Sequence, residues 1–279
     1  MRSKTFKKVF FNALLFFSGW LYFYSSVDRV LDRYDEGLAL YGALRVLHGE
    51  IPFRDFWTIY CPLQFYALAA VFKIAGVSVM AARLWDITVK AALAWLVYRI
   101  GRRALPPLGA AAAWLLSALW LERLGCFNYP VFPALALSFA AFYLRGGGDT
   151  PPRLLLVGAA AALTALLRHD FGVYLLLTLF FFPSGSIDGA RRPPRGGVWA
   201  RRFEDAAFIL GGAAAALPPL YYLLLWPVEA ATLWQWLIVF PLKVFPQVRG
   251  LPYPSPLEAL QYNPALSFSA QWSELSGSR

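Results

Sequence analysis

AAFILGGAAAALPPLYYLLLW, residues 206–226, runs for twenty-one positions without a charged side chain. A helix of about 20 mainly apolar residues is what crosses the hydrocarbon core of a bilayer. Six further apolar stretches precede it, at 9–26, 79–98, 106–120, 129–144, 154–167 and 171–183. The composition points the same way. Of 279 residues 59% are hydrophobic and 15% charged, against roughly 25% charged in an ordinary soluble domain, and the mean hydropathy is +0.51. The expectation is an all-α integral membrane protein of about seven transmembrane helices. The fifth and sixth stretches are short and separated only by Arg168, His169 and Asp170, which predicts a tight hairpin or a re-entrant pair. The first follows a basic N-terminus but precedes no cleavage site and soluble domain, so it reads as a retained span.

The net charge of +10 would suggest nucleic acid or anionic lipid as partner of a soluble protein; here its distribution marks one side of a membrane. Lys4, Lys7 and Lys8 precede the first stretch, Arg99, Arg102 and Arg103 follow the second, Arg145 and Arg153 flank a Gly-rich loop, and Arg191, Arg192, Arg195, Arg201 and Arg202 precede the last. If every stretch crosses, all four groups share the cytoplasmic side. The N-terminus is then inside, in an inner-membrane, multi-pass arrangement. The loop 27–78, the connection 121–128, the turn 168–170 and the Trp- and Pro-rich segment 227–279 lie outside. Residues 1–226 read as the transmembrane module, and 227–279 as an outer-side segment that stops short of closure. Nucleic acid is not an expected partner. Cys61, Cys126, His48 and His169 have no metal-ligand spacing, and the two cysteines are compatible with a disulfide or with separate thiols.

The first outer loop carries the chemistry. Leu40, Leu44 and Leu47 recur at helical spacing before Gly49, a natural stop, and predict an amphipathic helix on the membrane surface. A second interfacial helix is expected at 62–75, stopped by Gly76. Asp35 and Glu36 at the first helix start suit an N-terminal cap and the helix dipole, and Arg29 with Asp32 or Arg33 with Glu36 suit surface pairs. The density of acids argues for more. Asp28, Asp32, Asp35, Glu36, Glu50 and Asp55 share this loop with Arg29, Arg33, Arg45 and Arg54, and carboxylates beside guanidinium groups can supply a general base and a phosphate clamp. Asp86 and Lys90, four apart inside the second stretch with Arg83 before them, read first as a self-neutralising pair.

The order Asp35-Glu36, His48-Gly49-Glu50-Ile51-Pro52, Phe53-Arg54-Asp55-Phe56-Trp57, Tyr60-Cys61-Pro62-Leu63, Gly76 and Ala82-Arg83-Leu84 resembles the first outer loop and second span of polyprenyl-phosphate-sugar-dependent membrane glycosyltransferases of the GT-C superfamily. It is most similar to family 39, the protein mannosyltransferase and aminoarabinose transferase-like group, over about residues 35–103, and only topologically beyond. The resemblance implies Asp35 as catalytic base on the acceptor, with Glu36 its companion, and a lipid-phosphate-linked sugar as donor; the acceptor is a protein, lipid or glycan, and metal use is open. Some relatives in that family carry Arg where Leu38 stands and Lys where Cys61 stands, both phosphate contacts there. Either substrate binding falls to other groups, Arg45, Arg54 and Asp55 in the loop and Arg168 and Asp170 on the outer turn, or the donor differs. A polar hairpin turn is an equal reading of 168–170. Two other functions remain in view, a transporter or lipid flippase, and a truncated, non-catalytic homologue.

Overall fold

The computed structural model describes residues 2–27, 35–125, 127–181, 197–244 and 246–247. It is all-helical: α1 (Arg2–Ser25), α2 (Asp35–Leu47), α3 (Leu63–Ala75), α4 (Val79–Gly101), α5 (Pro107–Arg123), α6 (Val131–Arg145), α7 (Pro151–Leu167), α8 (His169–Phe181), α9 (Gly197–Leu225), α10 (Ala230–Trp234) and a π-helical continuation, Gln235–Val244. Each of the seven apolar stretches is a helix. So are both segments expected in the first loop, and the hairpin at 168–170 is the joint between α7 and α8.

Among the described residues one helix, over Trp199–Leu225, is long and apolar enough by itself to cross a membrane, with mean hydropathy 1.7. Helices α3 and α4 reach that standard together, but the chain bends by 119° between them. The bend has a local cause. Gly76 takes φ +83°, a left-handed conformation that glycine adopts without a Cβ penalty, and the Ser78 side chain then caps α4 by accepting from the Ala81 amide at 3.0 Å.

Neighbours pack in a chain: α1 and α5 against α4, α4 against α6, α6 against α7, and α7 against both α8 and α9. The α7–α9 contact depends on missing side chains. A Cβ on Gly158 would run into the Ile209 carbonyl, and one on Gly212 into that of Leu155, so the backbones approach as small-residue membrane helix pairs do. Large apolar side chains stay outside this core: Phe10, Phe17 and Leu21 on α1, Leu116 and Trp120 on α5, Tyr222 and Leu223 on α9.

The α2 stripe differs from its expected role. Leu40, Leu44 and Leu47 do not stand free to meet a membrane surface; they pack with Leu68 and Phe72 of α3 and Trp85 of α4. The described residues up to Leu237 form one compact unit. Asp28, Arg29, Asp32, Arg33, Cys126 and most of the Trp- and Pro-rich segment lie outside the described residues.

Candidate active site

The expected site residues separate into three groups. Arg45, Arg54 and Asp55 belong to the loop that follows α2. Gly49 at φ +90° turns the chain, and Arg45 then reaches across the turn, donating from Nε to Glu50 Oε2 at 2.6 Å and from Nη2 to the Asp55 carbonyl at 2.8 Å. Asp55 accepts from the Ile51 amide at 2.7 Å and from Arg54 Nε and Nη2 at 2.9 and 2.7 Å. The Arg45 guanidinium lies over the Phe56 ring, 4.7 Å from its centre. Hydrogen bonds from Arg54 first, then from the Ile51 amide, hold the Asp55 carboxyl at about 2, below its usual 3.8. These charges satisfy one another, and their combined effect is to shape the loop.

Asp35, Arg168 and Asp170 form the second group, although 133 positions separate Asp35 from Arg168 in the sequence. Asp35, exposed in the first turn of α2, accepts from the Tyr60 hydroxyl at 2.6 Å. Tyr60 is set by buried Thr58, whose Oγ1 takes the Tyr60 amide at 3.0 Å. The Tyr60 ring meets Tyr129 edge-on, with centroids 5.9 Å apart and planes at 90°. Arg168 Nη1 contacts the Tyr129 hydroxyl at 3.4 Å, while Nε and Nη2 grip Asp170 at 3.0 and 2.6 Å. The same turn is tied to the first loop a second time, Cys61 Sγ lying 3.5 Å from His169 Nδ1.

The electrostatics of this group follow from its half-buried setting. Burial, then the hydrogen bond and charge of Asp35, raise the Tyr60 phenol, so it stays a donor to that carboxylate at neutral pH. Burial pushes the Cys61 thiol up to about 12 and lowers His169. Burial works against both charges of the Arg168–Asp170 pair, yet their hydrogen bonds and attraction outweigh it, leaving Arg168 raised and Asp170 lowered.

Glu36 turns the other way. It is fully buried beneath α2 and accepts from Arg83 Nε and Nη2 of α4 at 2.8 and 2.7 Å. Asn128 joins this pair to the next, its Nδ2 contacting Glu36 at 3.4 Å and its backbone amide donating to Asp86 Oδ1 at 3.1 Å. Lys90 Nζ sits 2.9 Å from Asp86 Oδ2, the pairing expected from their spacing, and Gln64 donates to the Asn128 carbonyl at 2.8 Å. Glu36 therefore bolts α2 onto α4.

No family model, curated protein or solved structure matches the chain. Among the described residues no group of three or more His, Cys, Asp and Glu side chains is arranged to hold a metal ion. What is assembled is an exposed carboxylate with a phenol donor and, across two tyrosines packed edge to face, a guanidinium. Two of its members, Tyr60 and Tyr129, were not among the expected site residues. Tyr60 was visible only as part of the Tyr60-Cys61-Pro62 motif, and Tyr129 had no signal, since an aromatic at the edge of an apolar stretch is ordinary.

Proposed function

We propose that the chain is a multi-pass membrane glycosyltransferase that moves a sugar from a polyprenyl-phosphate donor to an acceptor at the outer face. In this reading seven helices (α1 and α4–α9) cross the bilayer, the N-terminus is cytoplasmic, and α2 and α3 sit at the outer surface. The large apolar side chains left bare on α1, α5 and α9 support a lipid surrounding.

The observation that carries the reading is the connection of Asp35 to the Arg168 turn through Tyr60 and Tyr129. Transfer from a lipid phosphate needs a base to take the acceptor proton and a cation to hold the departing phosphate. Asp35 is the base, and the Tyr60 hydroxyl fixes which carboxylate oxygen is turned toward the acceptor. Of the three candidate cations, Arg45 and Arg54 are committed to the loop knot. Arg168 keeps donor capacity on Nη1, which makes one long contact, and its neighbour His169 touches Cys61, at the position where some of the enzymes the chain resembles carry lysine. Arg168 is thus the phosphate-binding group, with Asp170 setting its orientation.

The test is transfer of labelled sugar in membranes containing the full chain and supplied with a panel of polyprenyl-phosphate hexoses and pentoses. Transfer by the native chain that disappears in Asp35→Asn supports the reading; full activity in that variant overturns it. The transporter alternative draws on the charged groups inside α4, but Glu36, Arg83, Asp86 and Lys90 are occupied with one another, as a structural brace requires.

A further inference from the structure

At the opposite end of α4 from the candidate active site lies a cavity of about 460 Å³ that the transfer reaction does not use. Arg99, Arg102, Arg103 and Tyr143 line it, together with the rings of Phe11 and Tyr98, whose centroids are 5.8 Å apart. Cations at a helix C-terminus offset its dipole, and basic residues at span ends set topology. Neither role requires three guanidinium groups to converge on a cavity.

Their partners are the telling feature. Arg99 bonds the Tyr143 hydroxyl and lies over the rings of Trp95 and Tyr143, at 5.0 and 4.7 Å. Arg103 donates to the Tyr143 carbonyl at 2.8 Å and covers the same ring at 4.5 Å. Arg102 donates to the Leu105 carbonyl at 2.8 Å. Among the described residues, none of the three pairs with a carboxylate. Nearby arginines do: Arg145 with Asp205 at 3.2 Å and Arg201 with Asp149 at 2.9 Å. Positive charge is neutralised beside the cavity and left standing within it.

We propose that this cavity is an anion site for a phosphate group, filled by the headgroup of an anionic phospholipid from the cytoplasmic leaflet or by a soluble phosphate. Planar guanidinium forks match phosphate oxygens in pairs, and the Phe11 and Tyr98 rings give the adjoining chain or backbone an apolar wall. The lipid source rests on the orientation proposed above; phosphate binding does not.

The full chain in neutral detergent is tested with two probes. Native mass spectrometry measures retained phosphatidylglycerol against phosphatidylcholine, and thermal unfolding is followed with added inorganic pyrophosphate. Phosphatidylglycerol retained by the native chain and reduced about ten-fold or more in R99Q/R102Q/R103Q identifies the lipid as ligand. A pyrophosphate shift lost in that variant, without lipid selectivity, supports the site with a soluble phosphate. The single variant R102Q removes only a bond to a loop carbonyl, so it keeps the native melting temperature while weakening the same probe. Equal retention of both lipids by the native chain with no pyrophosphate shift overturns the proposal. So does unchanged binding in R102Q and the triple variant. Loss of binding together with intact sugar transfer separates this site from the outer one.

Discussion

Asp35 and Glu36 are neighbours in sequence and opposites in the fold. A helix rotates about 100° per residue, so one step along α2 carries a carboxylate from solvent to the centre of the protein. Asp35 remains exposed, held by one phenol. Glu36 is locked between Arg83 and Asn128. The difference teaches that an acidic pair at a helix start divides its work: the outward carboxylate stays at the surface while the inward one anchors the helix that presents it.

The sharpest way to break this division is at the anchor. Removing one member of a buried ion pair leaves the other charge unpaired and costs about 3–5 kcal/mol. Glu36→Gln should therefore lower the thermal unfolding temperature in detergent strongly, while replacing both partners, as in E36M/R83M, should recover much of the loss. A native-like melting temperature in Glu36→Gln would mean that α2 does not depend on this bolt.

Asp35→Asn should do the reverse. Folding should be unaffected, while transfer falls on the order of 100-fold, the effect of losing a general base. Tyr60→Phe removes the hydroxyl that orients Asp35. A charge-assisted hydrogen bond of this kind corresponds to about ten-fold in kcat/KM, with the melting temperature again unchanged. If Tyr60→Phe and Asp35→Asn both unfold the protein instead, the outward residue is structural too and the contrast fails.

The smallest effect belongs to the loop knot. Asp55 has a folded pKa of about 2, below its ordinary 3.8, so what it adds to the loop is present above about pH 4 and lost as pH falls toward 2. Faster amide exchange at Ile51 across that window, with little change in global unfolding, is the expected result, and Asp55→Asn should show it already at neutral pH. Exposed pairs contribute modestly, which is why this ranks last.

Much of this was legible along the chain. Apolar runs as long as 79–98 or 206–226 match a helix rather than a strand, and Gly49 and Gly76 mark the ends of α2 and α3 because their left-handed φ suits glycine. Asp86 and Lys90 could be paired from spacing alone, since i and i+4 share a helix face. The partners of Glu36 and Asp35 could not. Arg83 lies 47 positions from Glu36 and Arg168 still farther from Asp35, and no local period links them. Charge sign and helical spacing are local properties, and the sequence by itself determined those: which segments are helices and where they stop. Which of two adjacent carboxylates faces water, and which arginine stands across from it, was decided by the packing of α2 on α3 and α4 and by the return of the α7–α8 turn to Cys61 and Tyr129.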